Sequence, residues 1–388
     1  MNHESKGKSR FKGTVNRMID GYLLRQVINK VGEIHFNSGD EVHTLGHLYE
    51  SMLREMRDAA GDSGEFYTPR PLVRFIVAAT NPKIGETVLD PACGTGGFLA
   101  EAFTYLEKQC RTVEHRRALQ SASIFGGEAK PLPYLLCQMN LVLHGLEAPR
   151  IDPLNSLRHK IAGIGDAQRV DVIVTNPPFG GEEGSGIAGN FPADRRTAET
   201  ALLFLQLIMR KLRRNPAGRA AVVVPHGTLF GDGVCAKIKR DLIEQFNLHT
   251  VIRLPEGVFE PYTPIPTNIL FFDRTGPTRE IWYYQVPPPE GRRKYTKTMP
   301  MKFEDFADCL KWWNNRRQGK NAWKVKPSDV LKFDKKGELL SSNLDIKNPR
   351  GDEEIEHLPP EQLVKRIRER ESEIATLMAE VETLLVEA

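Results

Sequence analysis

Short apolar runs that alternate with amphipathic segments constrain the fold of this chain more than any other feature. The runs have the length of buried strands, and segments with helical spacing of apolar residues follow the first three. The predicted strands cover residues 87–90, 123–126, 170–174, 220–224, 250–254 and 269–272. Because strands separated by helices form a mostly parallel sheet with helices on both faces, we predict a doubly wound α/β domain.

The segments on either side of this alternation predict further parts of the chain. We expect a short helical N-terminal part over residues 1–60, the α/β domain over 61–285 and a connector over 286–355. Residues 356–388 predict one long charged helix whose apolar stripe consists of Leu363, Ile367, Ile374, Leu377, Val381 and Leu384. A stripe this narrow favours docking against a helix of a partner protein over packing on the chain's own domain.

Composition excludes several classes of protein. The chain has no apolar run long enough for a transmembrane helix and no apolar stretch behind its N-terminal charges, so we expect neither a membrane span nor a secretory signal. Its five cysteines are scattered without a Cys-x-x-Cys pair, which argues against a disulfide framework or a metal site and favours a reducing cytoplasm. A net charge of +4 permits nucleic-acid binding without indicating it.

The turn after the first predicted strand is rich in glycine and reads Asp90-Pro-Ala-Cys-Gly-Thr-Gly-Gly97. Glycines let the backbone turn tightly and approach a ligand at the N-terminus of the following helix. The Asp90 carboxylate at the end of the strand can meet a cationic amine. Taken alone, such a turn fits any nucleotide, or a tight turn without a ligand.

An acidic residue, Glu128, ends the second predicted strand in the sequence Gly-Gly-Glu. Such a residue typically binds ribose hydroxyls. It lies 38 residues after Asp90, well beyond the roughly 20 residues of a nicotinamide-type dinucleotide fingerprint. The chain also lacks a Gly-Lys-Ser/Thr sequence, so neither a dinucleotide nor a nucleoside triphosphate fits well.

The third element, Asn176-Pro177-Pro178-Phe179, directly follows the apolar strand 170–174. The two prolines stiffen the turn and direct the Asn176 side chain and the Pro177 carbonyl outward. Two acceptor oxygens that hold an exocyclic amine leave its lone pair available for attack, and the aromatic ring can stack on a base. A rigid loop with a buried Phe explains the same four residues without a ligand.

The fourth element lies upstream and reads Gly64-Glu-Phe-Tyr-Thr-Pro-Arg-Pro71. Its prolines precede or begin a predicted helix over residues 72–80. That helix would place the backbone of 66–68 near the carboxyl edge of the sheet, where ligands of such folds bind.

In this order, the four elements resemble the adenine-specific DNA methyltransferases, and in particular the modification subunits of type I restriction-modification systems. The resemblance covers about residues 40–388, including the segments 45–50 and 344–348. It implies the Rossmann-like, mostly parallel fold of the S-adenosylmethionine-dependent methyltransferases. It also implies a site-specific methyltransferase that transfers a methyl group to the N6 amino group of adenine in DNA.

The resemblance assigns roles to individual residues. The cofactor S-adenosyl-L-methionine would bind at Glu65, Phe66, Tyr67, Thr68, Pro69, Arg70, Asp90, Ala92, Gly94, Thr95, Gly96 and Gly97, with its ribose at Glu128. The flipped adenine would be held by Asn176, Pro177, Pro178 and Phe179. Asn155 stands where the family usually carries an acidic residue beside the adenine of the cofactor, and an amide can still hydrogen-bond the ring edge.

The resemblance also implies partners: double-stranded DNA, a specificity subunit that reads the sequence, a second modification subunit and a restriction subunit. Three alternatives stay open, namely methylation of the cytosine N4 amine, methylation of a protein glutamine, and a scaffold without activity. A cytosine-ring methyltransferase needs a Cys nucleophile after a proline, and no cysteine of this chain follows one.

Overall fold

The computed structural model describes residues 20–32, 68–260, 262–350 and 378. Of the predicted helical N-terminal part, only residues 20–32 are described. The helix predicted over 356–388 lies outside the described residues apart from residue 378. All elements described below belong to the first of two units, Met1–Asn348 and Pro349–Ala388.

Within the described residues, nine strands form one sheet in the order β3-β2-β1-β4-β5-β7-β6-β8-β9. The strands are β1 (Val88–Asp90), β2 (Ile124–Gly127), β3 (Arg150–Asp152), β4 (Val172–Thr175), β5 (Arg219–Pro225), β6 (Asn247–Arg253), β7 (Thr267–Asp273), β8 (Ile281–Gln285) and β9 (Ala322–Val325). Strands β3, β2, β1, β4 and β5 are mutually parallel, and β6 and β8 pair in parallel, whereas β7 is antiparallel to both β5 and β6. The predicted doubly wound, mostly parallel sheet is confirmed.

Helices cover both faces of this sheet. The helices among the described residues are α1 (Gly21–Gly32), α2 (Arg70–Thr80), α3 (Gly97–Glu107), α4 (Val113–Ala122), α5 (Pro131–Leu143), α6 (Ser185–Ala188), α7 (Thr200–Lys211), α8 (Val234–Gln245), α9 (Ala307–Asn314) and α10 (Pro327–Val330). The described side chains of α1 are not buried. A separate hairpin joins β10 (Leu331–Phe333) to β11 (Leu339–Ser342). None of the described helices is long and apolar enough to cross a membrane.

The two faces of the sheet carry separate apolar layers. Along β5, Ala221 and Val223 belong to the layer that contains α2 and α3, while Ala220, Val222 and Val224 belong to the layer that contains α7 and α8. Side chains of a strand point alternately to its two faces, so a strand buried on both faces must be apolar throughout. This explains why apolar runs located the central strands from the sequence.

The six strands predicted from apolar runs are all present, with ends shifted by at most three residues. Strand β3 was not predicted because its three residues include a single buried apolar side chain, Ile151. Strands β8 and β9 were also missed: β8 is the last segment of the predicted α/β domain, and β9 lies in the predicted connector.

The segment after residue 286 packs onto the α/β core. Strand β9 extends the sheet by pairing antiparallel with β8. A 3₁₀ turn, Phe303–Phe306, places the ring of Phe306 in a stack on Phe75 of α2, with 4.3 Å between the ring centroids. Both rings are fully buried. This part of the predicted connector therefore contributes to the same hydrophobic core, while the domain boundaries themselves stay a prediction.

We expect Phe75→Ala to destabilise the fold strongly. The substitution removes the stack on Phe306 and the edge contact with Phe271, whose centroid lies 6.3 Å away. A cavity of this kind costs about 3–5 kcal/mol. The measurement is thermal unfolding of the variant beside Phe333→Ala, which removes a ring that is 44% exposed. Equal losses of stability in the two variants would contradict the packing of Phe306 against α2.

Candidate active site

The carboxyl ends of β1, β2 and β4 meet at one edge of the sheet. Strand β1 pairs on one side with β2 and on the other with β4, so the order of strands reverses beside β1. Ligands of open α/β sheets bind at such a reversal. The predicted residues Asp90, Glu128 and Asn176 come at or directly after the ends of these three strands, and the structure brings them to the same edge.

The glycine-rich turn is held between β2 and α5. Gly94 and Gly96 have positive φ angles of 52° and 80°, which favour glycine. A Cβ atom on Gly96 would lie 2.7 Å from the Sγ atom of Cys137 on α5. From the same helix, the side-chain amide of Asn140 donates to the Thr95 carbonyl at 2.8 Å. The turn is therefore anchored by helix α5, and Gly97 begins α3 behind it.

Asp90 is almost fully buried, with 1% of its surface exposed. Its Oδ1 atom accepts hydrogen bonds from the Thr175 hydroxyl at 2.6 Å and from the Ala92 N–H at 3.1 Å. Its Oδ2 atom has no hydrogen-bond partner among the described residues. Burial, together with the nearby charge of Glu128, outweighs the lowering effect of these two hydrogen bonds and raises the pKa of Asp90 to about 7. The carboxylate is thus poised to gain from a cationic ligand.

Glu128 is oriented by two backbone donors. Its Oε2 atom accepts from the Gly94 N–H at 3.0 Å, and its Oε1 atom accepts from the Lys130 N–H at 2.7 Å. Burial raises the pKa of this carboxyl group, while the two bonds lower it. The glycine before it, Gly127, has no room for a side chain, because a Cβ atom would lie 2.3 Å from the Oγ atom of Ser156. Glu128 and the glycine-rich turn therefore form one wall of the site.

The Asn176 side chain lies partly buried directly after β4. Its Nδ2 atom donates to the Thr68 hydroxyl at 3.1 Å. Its Oδ1 atom is buried and has no partner among the described residues. The ring of Phe179 packs edge-on against Phe259, with centroids 5.8 Å apart. A buried acceptor without a donor, such as the Oδ1 atom of Asn176, destabilises the folded state unless a ligand supplies the missing donor.

Thr68 also joins the upstream element to the Asn176 turn. Pro69 occupies the N-cap position of helix α2, and the Nη1 atom of Arg70 lies 3.5 Å from the Gly97 carbonyl at the start of α3. The described part of the upstream element therefore contacts both the glycine-rich turn and the Asn176 turn. Glu65, Phe66 and Tyr67 lie outside the described residues, so their roles stay predictions.

Asn155 makes contacts within the protein. Its Oδ1 atom accepts from the Leu157 N–H at 2.8 Å, and its Nδ2 atom lies 3.3 and 3.4 Å from the two carboxylate oxygens of Glu183. Sequence reasoning did not select Glu183, because it lies in the loop after Phe179 without a strand end to mark it. An acidic group is therefore present beside Asn155, although it comes from a different segment.

Several supporting residues were missed from the sequence, namely Cys137, Asn140, Ser156, Thr175 and Glu183. They act on the site through single contacts with the backbone or with a side chain already singled out, so no motif marks them. Within the described residues, no group of three or more His, Cys, Asp or Glu side chains could hold a metal ion.

We expect Asp90→Asn to change how stability depends on pH. A buried carboxyl with a pKa near 7 stabilises the fold in its protonated form, so this stability is complete below the unfolded pKa and is lost as the pH rises through 7. An Asn at this position keeps an Oδ1 acceptor but carries no charge. Only the interval between pH 5 and the folded pKa of about 7 contributes to a comparison of pH 5 with pH 8. The variant should therefore gain about 3 kcal/mol of stability relative to the wild type over this range.

Thermal unfolding at pH 5 and pH 8 measures this difference. Asp308→Asn, which alters a carboxylate that is 82% exposed in a surface ion pair, is the matched control and should show no such change. A constant difference between wild type and Asp90→Asn across this pH range would contradict the raised pKa.

Comparisons with known proteins agree with this geometry. The family N-6 DNA Methylase matches residues 40–357. The methylase subunit of the type I restriction enzyme EcoEI from Escherichia coli is 48% identical over 387 residues, which cover 97% of this chain and 76% of that protein. The EcoKI methylase subunit from Escherichia coli K12 is 34% identical, over 67% of this chain and 51% of its own length. The chain thus spans about half the length of some curated relatives and three quarters of another.

Solved structures show the same relationship. A modification subunit of a putative type I restriction enzyme from Vibrio vulnificus YJ016 is 66% identical, covering 88% of this chain and 72% of its own, with a TM-score of 0.84. A structure on complex assembly of the type I R-M system matches with 42% identity and a TM-score of 0.81, covering 98% of this chain and 79% of its own. A putative class I S-adenosylmethionine-dependent methyltransferase from Listeria monocytogenes, 18% identical over 80% of this chain and 89% of its own, shares the fold at a TM-score of 0.54. The chain therefore belongs to the N-6 DNA methylase family and has the fold of S-adenosylmethionine-dependent methyltransferases.

Proposed function

We propose that the chain is the modification subunit of a type I restriction-modification enzyme. It transfers a methyl group from S-adenosyl-L-methionine to the N6 amino group of adenine in double-stranded DNA, in the cytoplasm. Membership of the N-6 DNA methylase family and the similarity to type I methylase subunits support this proposal. The buried Oδ1 atom of Asn176, which lacks a donor among the described residues, is the observation that carries it.

The residues around the glycine-rich turn suit a ligand with both a cationic amine and ribose hydroxyls. The Oδ2 atom of Asp90, which has no partner among the described residues, would accept from the amine of the cofactor. The Glu128 carboxylate, already oriented by backbone donors, would bind the ribose hydroxyls. The cofactor supplies an electrophilic methyl group on its sulfonium. Positioning residues along the same surface would be Thr68, Pro69, Arg70, Ala92, Gly94, Thr95, Gly96, Gly97 and Asn155.

The Asn176 turn suits the amino group of an extrahelical base. The Oδ1 atom of Asn176 and the carbonyl of Pro177 would each accept one N–H of the amine, which leaves the nitrogen lone pair directed at the methyl group. The fixed turn through Pro178 sets the position of Phe179, whose ring would stack on the base. The Asn176 and Phe179 side chains would therefore hold the amino group of the base in the orientation needed for attack on the methyl group. No covalent bond between the base and the enzyme is needed.

Cysteine chemistry is not part of this proposal. Cys93, within the glycine-rich turn, is buried with its Sγ atom 3.7 Å from that of Cys137. The contact with Cys137 and burial raise the pKa of the Cys93 thiol well above its usual range. A thiol held neutral in this way is a poor nucleophile, so direct transfer to the amine is the reaction that these residues support.

We expect Asn176→Ala to lower the rate of DNA methylation by about 10²–10³-fold, because it removes one of two acceptors for the reacting amine. Affinity for the cofactor should change by less than about threefold, since Asn176 does not bind it. The measurement is mass spectrometry of nucleosides from DNA methylated by the chain together with its specificity subunit. Asn314→Ala, which alters an exposed side chain at the end of α9, is the matched control.

Three outcomes separate this proposal from its alternatives. N4-methylcytosine in the digest would identify a cytosine methyltransferase, and methylated protein without methylated DNA would identify a glutamine methyltransferase. A complex that binds cofactor and DNA but forms no product, in wild type as in variant, would leave only the scaffold. N6-methyladenine formed at the wild-type rate by Asn176→Ala would refute the role of Asn176.

We also propose that the chain works beside a specificity subunit, a second modification subunit and a restriction subunit. The 42% identical structure concerns complex assembly of the type I R-M system, which supports an assembly of this kind. The narrow apolar stripe over residues 356–388 would dock against a helix of the specificity subunit.

Deleting residues 359–388 should therefore abolish co-purification with the specificity subunit. Affinity for S-adenosyl-L-methionine should stay within about threefold of that of the full chain, because the candidate site lies on other elements. Pull-down of the two chains expressed together, with a parallel cofactor titration, measures both quantities. Retention of the complex by the truncated chain would refute the assigned docking helix.

A further inference from the structure

A cavity of about 410 Å³ opens at the edge of the sheet opposite to the candidate active site. Strands β6 and β8 begin there and β7 ends there, whereas the active site lies at the carboxyl ends of strands parallel to β6. Its walls include Asn247, His249, Pro277, Arg279, Trp282 and Arg316. The size is that of a site for a small organic ligand. The methyl-transfer site uses none of these residues.

His249 enters the cavity from a β-bulge. In the pairing of β6 with β7, Leu248 lies opposite Phe272 and Thr250 opposite Phe271, so His249 has no partner on the neighbouring strand. Bulges re-aim a side chain and are frequent beside functional sites. The irregularity of β6 thus directs one imidazole into the cavity.

The imidazole of His249 is held in one protonation state. Its Nδ1 atom lies 2.8 Å from the Thr250 hydroxyl and 3.3 and 3.4 Å from the two terminal nitrogens of Arg316. The hydroxyl can donate or accept, whereas the guanidinium can only donate, so Nδ1 is the acceptor. Burial and the charge of Arg316 lower the pKa of His249 to about 4. The neutral ring therefore carries its proton on Nε2, and no acceptor for that N–H lies within the described part of the chain.

Arg316 brings a positive charge that no carboxylate of the described residues compensates. Its guanidinium carbon lies 4.6 Å from the ring centroid of Trp313 and 5.6 Å from that of Trp312, which fixes the plane of the group. Arg279, exposed at the rim, has no ion pair within the described ranges either. Glu280 at the same rim is neutralised by Lys324 at 2.9 Å. The cavity therefore has an excess of positive charge.

An aromatic wall completes the cavity. The indole of Trp282 lines it beside Pro277. The ring is fixed by an edge contact with Trp312 at 5.9 Å between centroids. A small inorganic anion would use the two guanidinium groups and leave this wall unoccupied, and an apolar ligand would leave the charges without partners.

We infer that this cavity binds a nucleotide. The phosphate accepts from Arg316, Arg279 and the Nε2–H of His249, since guanidinium groups match phosphate oxygens geometrically. The base stacks against Trp282, as bases do on aromatic side chains of nucleic-acid-binding proteins. A free mononucleotide and a nucleotide of a single strand share this chemistry. Bound there, either one lies at the opposite edge of the sheet from the methyl-transfer site.

Intrinsic fluorescence offers a direct test, because Trp282 lines the cavity and Trp312 and Trp313 contact Arg316, so three of the four tryptophans of the chain lie at the site. The full chain is titrated with AMP, CMP, adenosine, inorganic phosphate and a short single-stranded oligonucleotide, with and without saturating S-adenosylhomocysteine. We expect both monophosphates to bind at least about tenfold more tightly than phosphate or adenosine. S-adenosylhomocysteine should not displace them. The ratio of oligonucleotide to mononucleotide affinity then identifies the source of the nucleotide.

Two variants locate the binding. Arg316→Gln and Arg279→Gln should each weaken AMP binding by about tenfold or more, because each removes a charge-assisted hydrogen bond. Arg279 is exposed, so its substitution tests the site even where Arg316→Gln disturbs packing. Arg317→Gln is the matched control, since that exposed neighbour does not line the cavity and should bind AMP as the wild type does.

Three results would overturn the inference. Inorganic phosphate binding as tightly as AMP would reduce the cavity to a simple anion site. Displacement of AMP by S-adenosylhomocysteine would place the nucleotide in the methyl-transfer site instead. Equal AMP affinity in wild type, Arg279→Gln and Arg316→Gln would show that these side chains bind no phosphate.

Discussion

The hydrogen bond from the Thr175 hydroxyl to Asp90 joins the two halves of the candidate site. Parallel pairing of β1 with β4 places Val88 beside Val172 and Leu89 beside Ile173, so the two strands end at the same level. The glycine-rich turn, which we propose binds the cofactor, follows β1, and the Asn176 turn, which we propose binds the amine, follows β4. Because this bond is buried, a change in the register of either strand would leave a carboxylate or a hydroxyl without a partner. The distance between the glycine-rich turn and the Asn176 turn thus depends on the pairing of these two strands.

Close packing behind the glycine-rich turn keeps this distance constant. Cβ atoms at Gly126 would lie 2.7 Å from Leu99 and 2.8 Å from Ile151, and the Cys93 N–H donates to the Gly127 carbonyl at 3.0 Å. The turn therefore lies directly on β2, without an intervening side chain. Such contact makes the turn rigid, which the proposed reaction requires, because in it the protein contributes orientation more than acid-base chemistry.

The parts of this fold that the sequence predicted are those with local causes. Strands buried on both faces must be apolar, so their runs are visible without knowledge of the fold. Ligands of such domains bind at the carboxyl ends of the strands, which is why Asp90, Glu128 and Asn176 could be selected as candidate site residues. Thr175 could not be selected, since a threonine at a strand end becomes informative only when its neighbour across the sheet is known.

The tryptophan-rich segment shows the same limit on prediction. Trp323 of β9 stacks on Tyr283 of β8 at 5.3 Å, and Trp312 lies against Tyr284 at 4.9 Å. These contacts form between residues about 30 to 40 positions apart in a segment without apolar periodicity. Neither periodicity nor spacing encodes such pairing, so the positions of these rings in the fold could not be predicted from the sequence alone.

The arginines at the edge opposite to the active site fall into two groups with different physical roles. Arg169 donates to the carbonyls of Arg210 and Leu212, and Arg274 donates to those of Met209 and Leu212, so both cap the C-terminus of α7. Burial and the neighbouring arginines lower the pKa of Arg274 to about 10, which is still high enough to keep it charged at neutral pH. These cations gain from the helix dipole and from backbone acceptors.

Within the described residues, no carboxylate and no carbonyl at a helix end accepts a hydrogen bond from Arg279 or Arg316. Arg316 is oriented by tryptophan rings and by a neutral histidine, contacts that fix its position while leaving its charge uncompensated. A structural cation is normally paired, because burying an unpaired charge costs free energy. Basic residues near one another in a fold therefore differ in function according to their acceptors, and the missing acceptors at this cavity point to a ligand that brings its own negative charge.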